Sequence, residues 1–236
     1  MRFLIRTPAA RIAAVTIPRF HAAVFDMDGL LLDSERPIRD AWMAATRELG
    51  IVLHDADYLR VVGRNEADSR RELQALLGAA VSYDAVRARA ASLIADALGA
   101  GGYAVKAGVV ALLEALRVRG VSCVVASSTH RDEVHARLVQ AGLRGYFAGV
   151  NGGDEVSRGK PHPDLFLLAA QRAGHAPSRC LVFEDSEHGA RGAIAAGMSV
   201  VIVPDLKTPG EDACAASVAV LASLHDACAH VEDWFG

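Results

Sequence analysis

The chain has 236 residues, a formal net charge of −3, 52% apolar residues and 22% charged residues. Such a chain can bury one core, or one core with a smaller appendage, and its composition is that of an ordinary globular protein. It has no run of Lys and Arg of the kind that nucleic-acid partners require. No apolar run approaches the ~20 residues of a membrane-spanning helix. We therefore expect neither nucleic acid nor a membrane as a partner.

The cysteine spacing and the first 20 residues bear on where the protein works. The four cysteines lie far apart, at Cys123, Cys180, Cys214 and Cys228. This spacing does not favour a zinc site or a disulfide framework, so the cytoplasm is the expected location. Residues 1–20 contain four Arg and no acid, as transit peptides do, but they lack a compact apolar region and a clear cleavage site. We interpret them as an N-terminal extension.

The first predicted element is a strand over residues 21–28, an apolar run that ends in Asp26 and Asp28 before Gly29. Side chains at i and i+2 of an extended chain point the same way, so both carboxylates should face one pocket. Gly29 allows the sharp turn that follows. Two like charges so close are unfavourable unless a cation or a shared proton relieves them. An ordinary Asp-rich turn would have the same residues, and this segment alone leaves both interpretations open.

A helical block follows this strand. A helix is predicted from Pro37 to Gly50, because Pro suits a first turn and Gly suits the residue after the last one. Apolar residues then keep helical spacing to about Leu98, without a strand pattern. The block ends at a glycine-rich joint, residues 99–102. We predict an all-helical insertion over residues 36–102.

Helices and strands alternate after the joint. The predicted strands cover residues 121–126, 180–183 and 199–203, and the predicted helices cover 108–119, 131–141, 164–173 and 188–196. This alternation predicts an α/β fold, a parallel sheet with helices on both faces, built from residues 21–35 and 103–236. Right-handed crossovers align the carboxyl ends of the strands along one edge of the sheet. The helical insertion would lie directly above that edge.

Polar segments occur at this edge of the predicted sheet. Ser127 follows one strand, Lys160 lies in a Pro-rich turn, and Glu184 and Asp185 follow another strand. Each has an ordinary alternative: a helix cap for the serine, a solvated surface for the lysine, and a favourable helix start for the acids. Together with the aspartate pair of the first strand, however, they form one chemically coherent set.

Four carboxylates near one point predict a hard divalent cation with oxygen ligands. Mg²⁺ suits a site that has few carboxylates and several waters. A lysine and a hydroxyl are what a bound phosphoryl group needs, because its charge must be neutralised and its oxygens hydrogen-bonded. The set therefore predicts Mg²⁺-dependent chemistry on a phosphorylated substrate.

This set resembles the haloacid dehalogenase superfamily of phosphotransferases. The D-x-D-G motif of that superfamily is present at residues 26–29, its hydroxyl motif matches Ser127, its lysine motif matches Lys160, and its acidic motif matches residues 184–185. Order and spacing agree from residue 21 to about residue 205. The insertion resembles the small helical cap of the branch that contains sugar-phosphate phosphatases and β-phosphoglucomutase. The resemblance implies a Rossmann-like core and a cap that selects the substrate.

The resemblance also implies catalytic roles. Asp26 would be the nucleophile that forms an aspartyl-phosphate, and Asp28 would protonate the leaving alcohol. Ser127 would hold a phosphoryl oxygen, and Lys160 would neutralise phosphoryl charge. The dehalogenases of this superfamily lack an acid at the position of Asp28, because a halide leaves without a proton. The acid at this position therefore indicates a phosphate-ester substrate.

A Mg²⁺ site is implied by the same resemblance. Asp26 would give one oxygen, Asp28 its backbone carbonyl, and Asp185 its carboxylate. Glu184 would bind directly or through water. Ser186 would orient Asp185, cap the following helix or touch the metal, and the sequence leaves these three alternatives open.

Substrate contacts are predicted in two places. Arg64 and Asn65 lie in the insertion, where members of this family often reach down to the substrate. Ser128, His130 and Arg131 follow the serine motif and are predicted to line the same pocket. The alternative for the first pair is a surface position at a helix start. For the last two it is capping and exposure at the next helix.

The outcome of the reaction is predicted from two departures from the mutase pattern. The β-phosphoglucomutase group has a histidine where this chain has Ile38, and an arginine where it has Glu66. Water would then resolve the aspartyl-phosphate, which favours hydrolysis. We expect a phosphatase of a small phosphorylated metabolite, a sugar phosphate above all, working as a monomer or weak homodimer. A phosphomutase and a non-catalytic phosphometabolite-binding protein are the alternatives.

Overall fold

A computed structural model of the protein describes residues 20–62, 64 and 66–236, with Glu66 described by its backbone alone. Apart from Phe20, the predicted N-terminal extension lies outside these residues. In the described part of the chain, six parallel strands form one sheet in the order β3-β2-β1-β4-β5-β6. The strands are β1 (Ala22–Phe25), β2 (Ser122–Ala126), β3 (Gly149–Asn151), β4 (Cys180–Glu184), β5 (Ser199–Ile202) and β6 (Ala219–Val220).

Strand β1 lies at the centre of the sheet. Phe25 is in register with Val125 of β2 on one side and with Phe183 of β4 on the other. Every residue of β1 and β4 is buried. A strand covered on both faces needs apolar side chains in both directions, which explains why β1, and β4 as far as Phe183, are continuous apolar runs in the sequence.

Helices cover both faces of the sheet and its carboxyl edge. They are α1 (Glu35–Glu48), α2 (Asp55–Tyr58), α3 (Glu66–Leu77), α4 (Tyr83–Leu98), α5 (Val109–Val118), α6 (Arg131–Gln140), α7 (Asp164–Ala173), α8 (Glu187–Ala195), α9 (Glu211–Ala215), α10 (Leu224–Ala227) and α11 (Val231–Phe235). Helices α5, α6, α10 and α11 contribute to the hydrophobic cluster on one face of the sheet, and α7, α8 and α9 to the cluster on the other. The predicted α/β class is therefore confirmed, and the core is Rossmann-like.

Helices α1–α4 and their connecting loops, which we call the cap, pack around a hydrophobic cluster of their own. At its centre the Trp42 and Tyr83 rings lie 5.2 Å apart. Two linkers, residues 30–36 and 99–106, join the cap to the core. They lie side by side, since Asp33 N donates to Ala104 O at 2.9 Å and Leu32 forms an antiparallel bridge with Val105. None of the helices in the described residues has the length and apolar character that crossing a bilayer demands.

Up to residue 203 most predicted elements match the structure to within one or two residues at their ends, whereas helices α9–α11 beyond it were not predicted. Other differences concern the strands and the first helix. The strand expected over residues 21–28 ends at Phe25, and the two aspartates follow it in a loop. The helix expected from Pro37 begins at Glu35, two residues earlier. Strands β3 and β6 have no counterpart in the prediction, because segments of three and two residues are too short to show a period.

Candidate active site

A cavity of about 180 Å³ lies between the cap and the carboxyl edge of the sheet. The core side of its lining is polar and comes from the loops after β1, β2 and β4, from the lysine turn and from helix α6. The cap side is largely apolar. The core contributes Asp26, Asp28, Ser127, Ser128, Thr129, Arg137, Lys160, Asp185 and Ser186, and the cap contributes Glu35, Ile38, Trp42, Tyr58, Val61, Val62, Arg64, Ser69, Leu73 and Tyr83. The fold therefore brings together the motif residues that the sequence analysis placed at one edge.

Lys160 lies at the centre of the buried charges. Its ammonium group donates to Asp26 and, at 2.5 Å, to Glu184 Oε1. All three side chains are almost completely buried. Burial by itself lowers the pKa of Lys160, but the two carboxylates outweigh it and hold this pKa above its ordinary value. The lysine is therefore a fixed positive charge at the floor of the cavity.

The carboxylates outnumber this cation. Carboxylate oxygens of Asp26, Glu184 and Asp185 all lie within 4.8 Å of one another. Burial, followed by repulsion from neighbouring carboxylates, raises the pKa of both Asp26 and Asp185 well above the ordinary value. Three buried oxygen donors with a shortage of positive charge fit a hard divalent cation, because such an ion relieves their repulsion.

Two glycines allow the backbone to approach these acids closely. Gly29 has a φ of +79°, and a Cβ at this position would overlap the Asp185 carboxylate. A Cβ on Gly189 would overlap the carboxylate of Glu184. The glycine of the D-x-D-G motif therefore leaves room for the Asp185 carboxylate of the acidic motif.

Glu184 is held by hydrogen bonds on both oxygens. Lys160 donates to Oε1, and the Ser186 N–H and Oγ both donate to Oε2 at 2.9 Å. Ser186 Oγ also accepts from Gly189 N at 3.1 Å and so caps α8. Of the three alternatives for Ser186, the structure shows the helix cap, combined with a contact to Glu184.

The Asp28 carboxylate is held separately from this cluster. Ser34 Oγ and Arg137 Nη1 donate to its Oδ1 at 2.7 and 2.6 Å. Thr129 Oγ1 donates to its Oδ2 at 2.8 Å, and Ser127 Oγ lies 3.4 Å from the same oxygen. Ser127 Oγ also accepts from the Thr129 N–H at 3.1 Å. The two motif aspartates face one cavity, but they have different partners.

The predicted substrate contacts are divided between two environments. Arg64 and Ser128 line the cavity, and the buried Arg64 Nε and Ser128 Oγ have no hydrogen-bond partner among the described residues. The structure does not bring His130 and Arg131 into this cavity. Both side chains are exposed, the first 3.4 Å from Asp154 and the second 3.8 Å from Glu155, because α6 begins here and turns away. Asn65 lies outside the described residues.

Four polar residues that line the cavity or hold Asp28 were among those not predicted from the sequence. Thr129 ends the Ser-Ser-Thr run and could have been found there, and Ser34 lies six residues after Asp28. Arg137 lies 109 residues from its partner Asp28, with no local signal. Glu35 resembles any acid at a helix start, yet burial, followed by repulsion from other carboxylates, raises its pKa to about 8.

A buried lysine and an acidic cluster beneath a helical cap suit chemistry on a phosphoryl group. Together with the family and the relatives that match this chain, they identify a phosphoric monoester hydrolase. The chain belongs to the haloacid dehalogenase-like hydrolases, whose family model matches residues 20–197. The family expected from the motifs is therefore confirmed.

The chain is similar to characterised and solved relatives over most of its length. It is 32% identical to the fructose-1-phosphate phosphatase YqaB of Escherichia coli over 196 residues, which are 78% of this chain and 97% of that protein. It is 30% identical to a phosphorylated carbohydrates phosphatase of Thermotoga maritima over 75% of this chain and 82% of that protein. A hydrolase of this family from Deinococcus radiodurans, solved with bound phosphate and sodium, has 29% identity and a TM-score of 0.70, over 91% of this chain and 96% of its own.

Proposed function

We propose that this enzyme is a Mg²⁺-dependent phosphatase that hydrolyses a small sugar phosphate through an aspartyl-phosphate on Asp26. The observation that carries the proposal is the position of Asp26, which lines the cavity, accepts a hydrogen bond from Lys160 and belongs to the acidic cluster. A carboxylate becomes an effective nucleophile toward phosphorus where fixed positive charge neutralises the phosphoryl oxygens.

Asp26, Asp185 and the backbone carbonyl of Asp28 would hold Mg²⁺, with Glu184 binding directly or through water. When bound, this ion supplies positive charge to the phosphoryl oxygens. Glu184 already accepts hydrogen bonds on both oxygens, which favours the indirect role.

The residues around the cavity account for two chemical steps. Asp26 attacks phosphorus, the ester P–O bond breaks, and Asp28 gives its proton to the leaving alcohol. Ser127 and Lys160 hold phosphoryl oxygens during this transfer. Asp28 then takes a proton from water, which attacks the aspartyl-phosphate and releases inorganic phosphate and free Asp26.

The small volume of the cavity supports a small substrate, and one of its walls supports hydrolysis over isomerisation. Ile38 lines the cavity at the position where the β-phosphoglucomutase group has a histidine. Its apolar side chain cannot exchange a proton with a second sugar hydroxyl. The relatives named for fructose-1-phosphate and phosphorylated carbohydrates support a sugar phosphate. A cytoplasmic monomer or weak homodimer is part of the proposal.

The test is phosphate release from a panel of phosphorylated metabolites, with Mg²⁺ or with a chelator, for the parent, Asp26→Asn and the exposed control Asp233→Asn. We expect Mg²⁺-dependent release from the parent and the control. Removal of a nucleophile should lower it by roughly 10³-fold or more in Asp26→Asn. Isomerisation of a hexose phosphate without net phosphate release, once a bisphosphate activator is added, would contradict hydrolysis. If the parent neither releases phosphate nor isomerises a hexose phosphate, the proposal that it is an enzyme acting on these compounds is contradicted.

A further inference from the structure

Arg137 of α6 extends into the active-site cavity and is held there by three contacts. Its Nη1 donates to Asp28 Oδ1 at 2.6 Å and its Nη2 donates to Glu133 at 2.5 Å. Its guanidinium also lies 4.9 Å from the centre of the Tyr103 ring. Only 14% of the side chain is exposed. A planar guanidinium held in this way has little freedom left, so its position is fixed.

The contact with Asp28 is the one that reaches the reacting groups. Thr129 holds Asp28 Oδ2, whereas Arg137 and Ser34 share Oδ1. Without Arg137, Asp28 Oδ1 keeps Ser34 as its single donor among these partners. It loses its charge-assisted hydrogen bond, and such bonds are stronger than those from neutral donors. A general acid must stay within hydrogen-bond reach of the leaving oxygen, so this loss bears directly on proton transfer.

An alternative role for Arg137 is to bind an anionic group of the substrate, since it lines the cavity. Its charge, however, is already balanced by Asp28 and Glu133, and each of these carboxylates accepts from one of its terminal nitrogens. A substrate anion would have to displace one of them. The pairing therefore favours a role that acts through Asp28.

We propose that Arg137 is a positioning residue that holds Asp28 where it protonates the leaving alcohol; this rests on the proposed phosphatase function. In the step concerned, the P–O bond breaks, both electrons go to the leaving oxygen, and the Asp28 proton moves to that oxygen. Arg137 stabilises the carboxylate that remains on Asp28. An aryl ester such as p-nitrophenyl phosphate releases a stable phenolate, so its departure does not require this proton.

The test compares kcat/KM for an alkyl phosphate, such as a hexose phosphate, with kcat/KM for p-nitrophenyl phosphate. For each ester, kcat/KM includes only the steps up to P–O cleavage, so the later attack of water does not affect it. Arg137→Met should lose about tenfold or more on the alkyl ester and less than about threefold on the aryl ester, because proton transfer contributes only to the first. Arg137→Lys, which keeps the charge, should recover part of the alkyl activity. Arg117→Met is the matched control, because Arg117 also pairs with a glutamate of its own helix but is exposed.

Asp28→Asn should show the same selectivity for the aryl ester, and adding Arg137→Met to it should cause little further loss on the alkyl ester. Equal losses on the two esters would overturn the positioning role, and so would unchanged activity on both. If Arg137→Met does not fold, the same comparison is made with Arg137→Lys, which should show a smaller loss with the same selectivity. An inactive parent enzyme, or aryl activity that persists in Asp26→Asn, would instead count against the proposed function.

Discussion

Individual side chains around the cavity differ in how their charge is compensated. Lys160 lies between two carboxylates, and Asp28 accepts from Arg137. Glu35 faces an excess of negative charge: burial first, then the carboxylates of Asp28 and Asp205, raise its pKa to about 8. A carboxyl group in this state remains protonated in the folded protein over a range where it would be ionised in the unfolded chain.

This difference predicts a pH-dependent stability. From the ordinary pKa of 4.5 to about 8, the folded state binds one more proton at Glu35 than the unfolded state does. The free energy of unfolding should therefore fall as the pH rises through this interval. Glu35→Gln removes this titration, so its free energy of unfolding should fall less steeply than that of the parent.

The measurement is denaturant unfolding at several pH values from about 5 to about 8 with a chelator present, so that divalent cations do not change the titration. The control is Glu211→Gln at an exposed position. Parallel pH profiles for the parent and Glu35→Gln would show that Glu35 titrates normally.

A second prediction at the same scale concerns Gly189. A Cβ there would overlap the Glu184 carboxylate, which accepts from Lys160 and Ser186. Gly189→Ala should displace this carboxylate and lower phosphatase activity by about 10- to 100-fold, as the loss of a group that orients a metal site does. Gly145→Ala is the control, because nothing lies within 4 Å of its added Cβ. Full activity of Gly189→Ala would show that Glu184 needs no fixed position.

At the scale of elements, Asp205 joins the two cap linkers to the end of β5. Its Oδ1 accepts from Lys106 on the second linker at 2.6 Å and from Arg36 at the start of α1 at 2.7 Å. Arg36 also pairs with Asp33 of the first linker at 2.9 Å. The carboxylate itself is buried. Asp205 therefore binds a basic residue from each of the two segments that connect the cap to the core.

Asp205→Asn should lower the free energy of unfolding by about 1–3 kcal/mol, because two cations lose a buried partner. We expect the lower half of this range, since the Arg36 side chain is 45% exposed and water screens its part of the interaction. Urea unfolding of Asp205→Asn beside Asp233→Asn, the same substitution at an exposed position, measures the effect. Coincident transitions of the two variants would contradict it.

Most of the fold and the motif part of the site could be predicted, because strand ends in a parallel sheet determine which residues meet. The helix expected over residues 164–173 has the same bounds in the structure. The inward direction of Arg137 could not be predicted, since a basic residue within a helix is usually exposed and its partner is remote in sequence. Helix α6, which carries Arg137, also explains why His130 and Arg131 do not reach the cavity. They follow Ser127 in the chain but turn away from the cavity where α6 begins.

At the scale of the whole molecule, the described residues form hydrophobic clusters on the two faces of the sheet and a further one within the cap. The active-site cavity lies between the cap and the sheet, so the largely apolar wall of the cap faces charged and polar side chains of the core across a gap. An interface of this kind can open without breaking either core, so movement of the cap is the expected route for substrate entry.

Hydrogen exchange should show this movement. We expect the amides of the linkers, residues 30–36 and 99–106, to exchange faster than those of β1 and β4, which are buried on both faces. Mg²⁺ together with inorganic phosphate should slow exchange in the linkers, because ligands bound to the closed form shift the population toward it. The central strands should not change. Mg²⁺ alone and phosphate alone are the controls. If the linkers exchange as slowly as β1 and β4 before ligand is added, the cap is fixed and the substrate must enter another way.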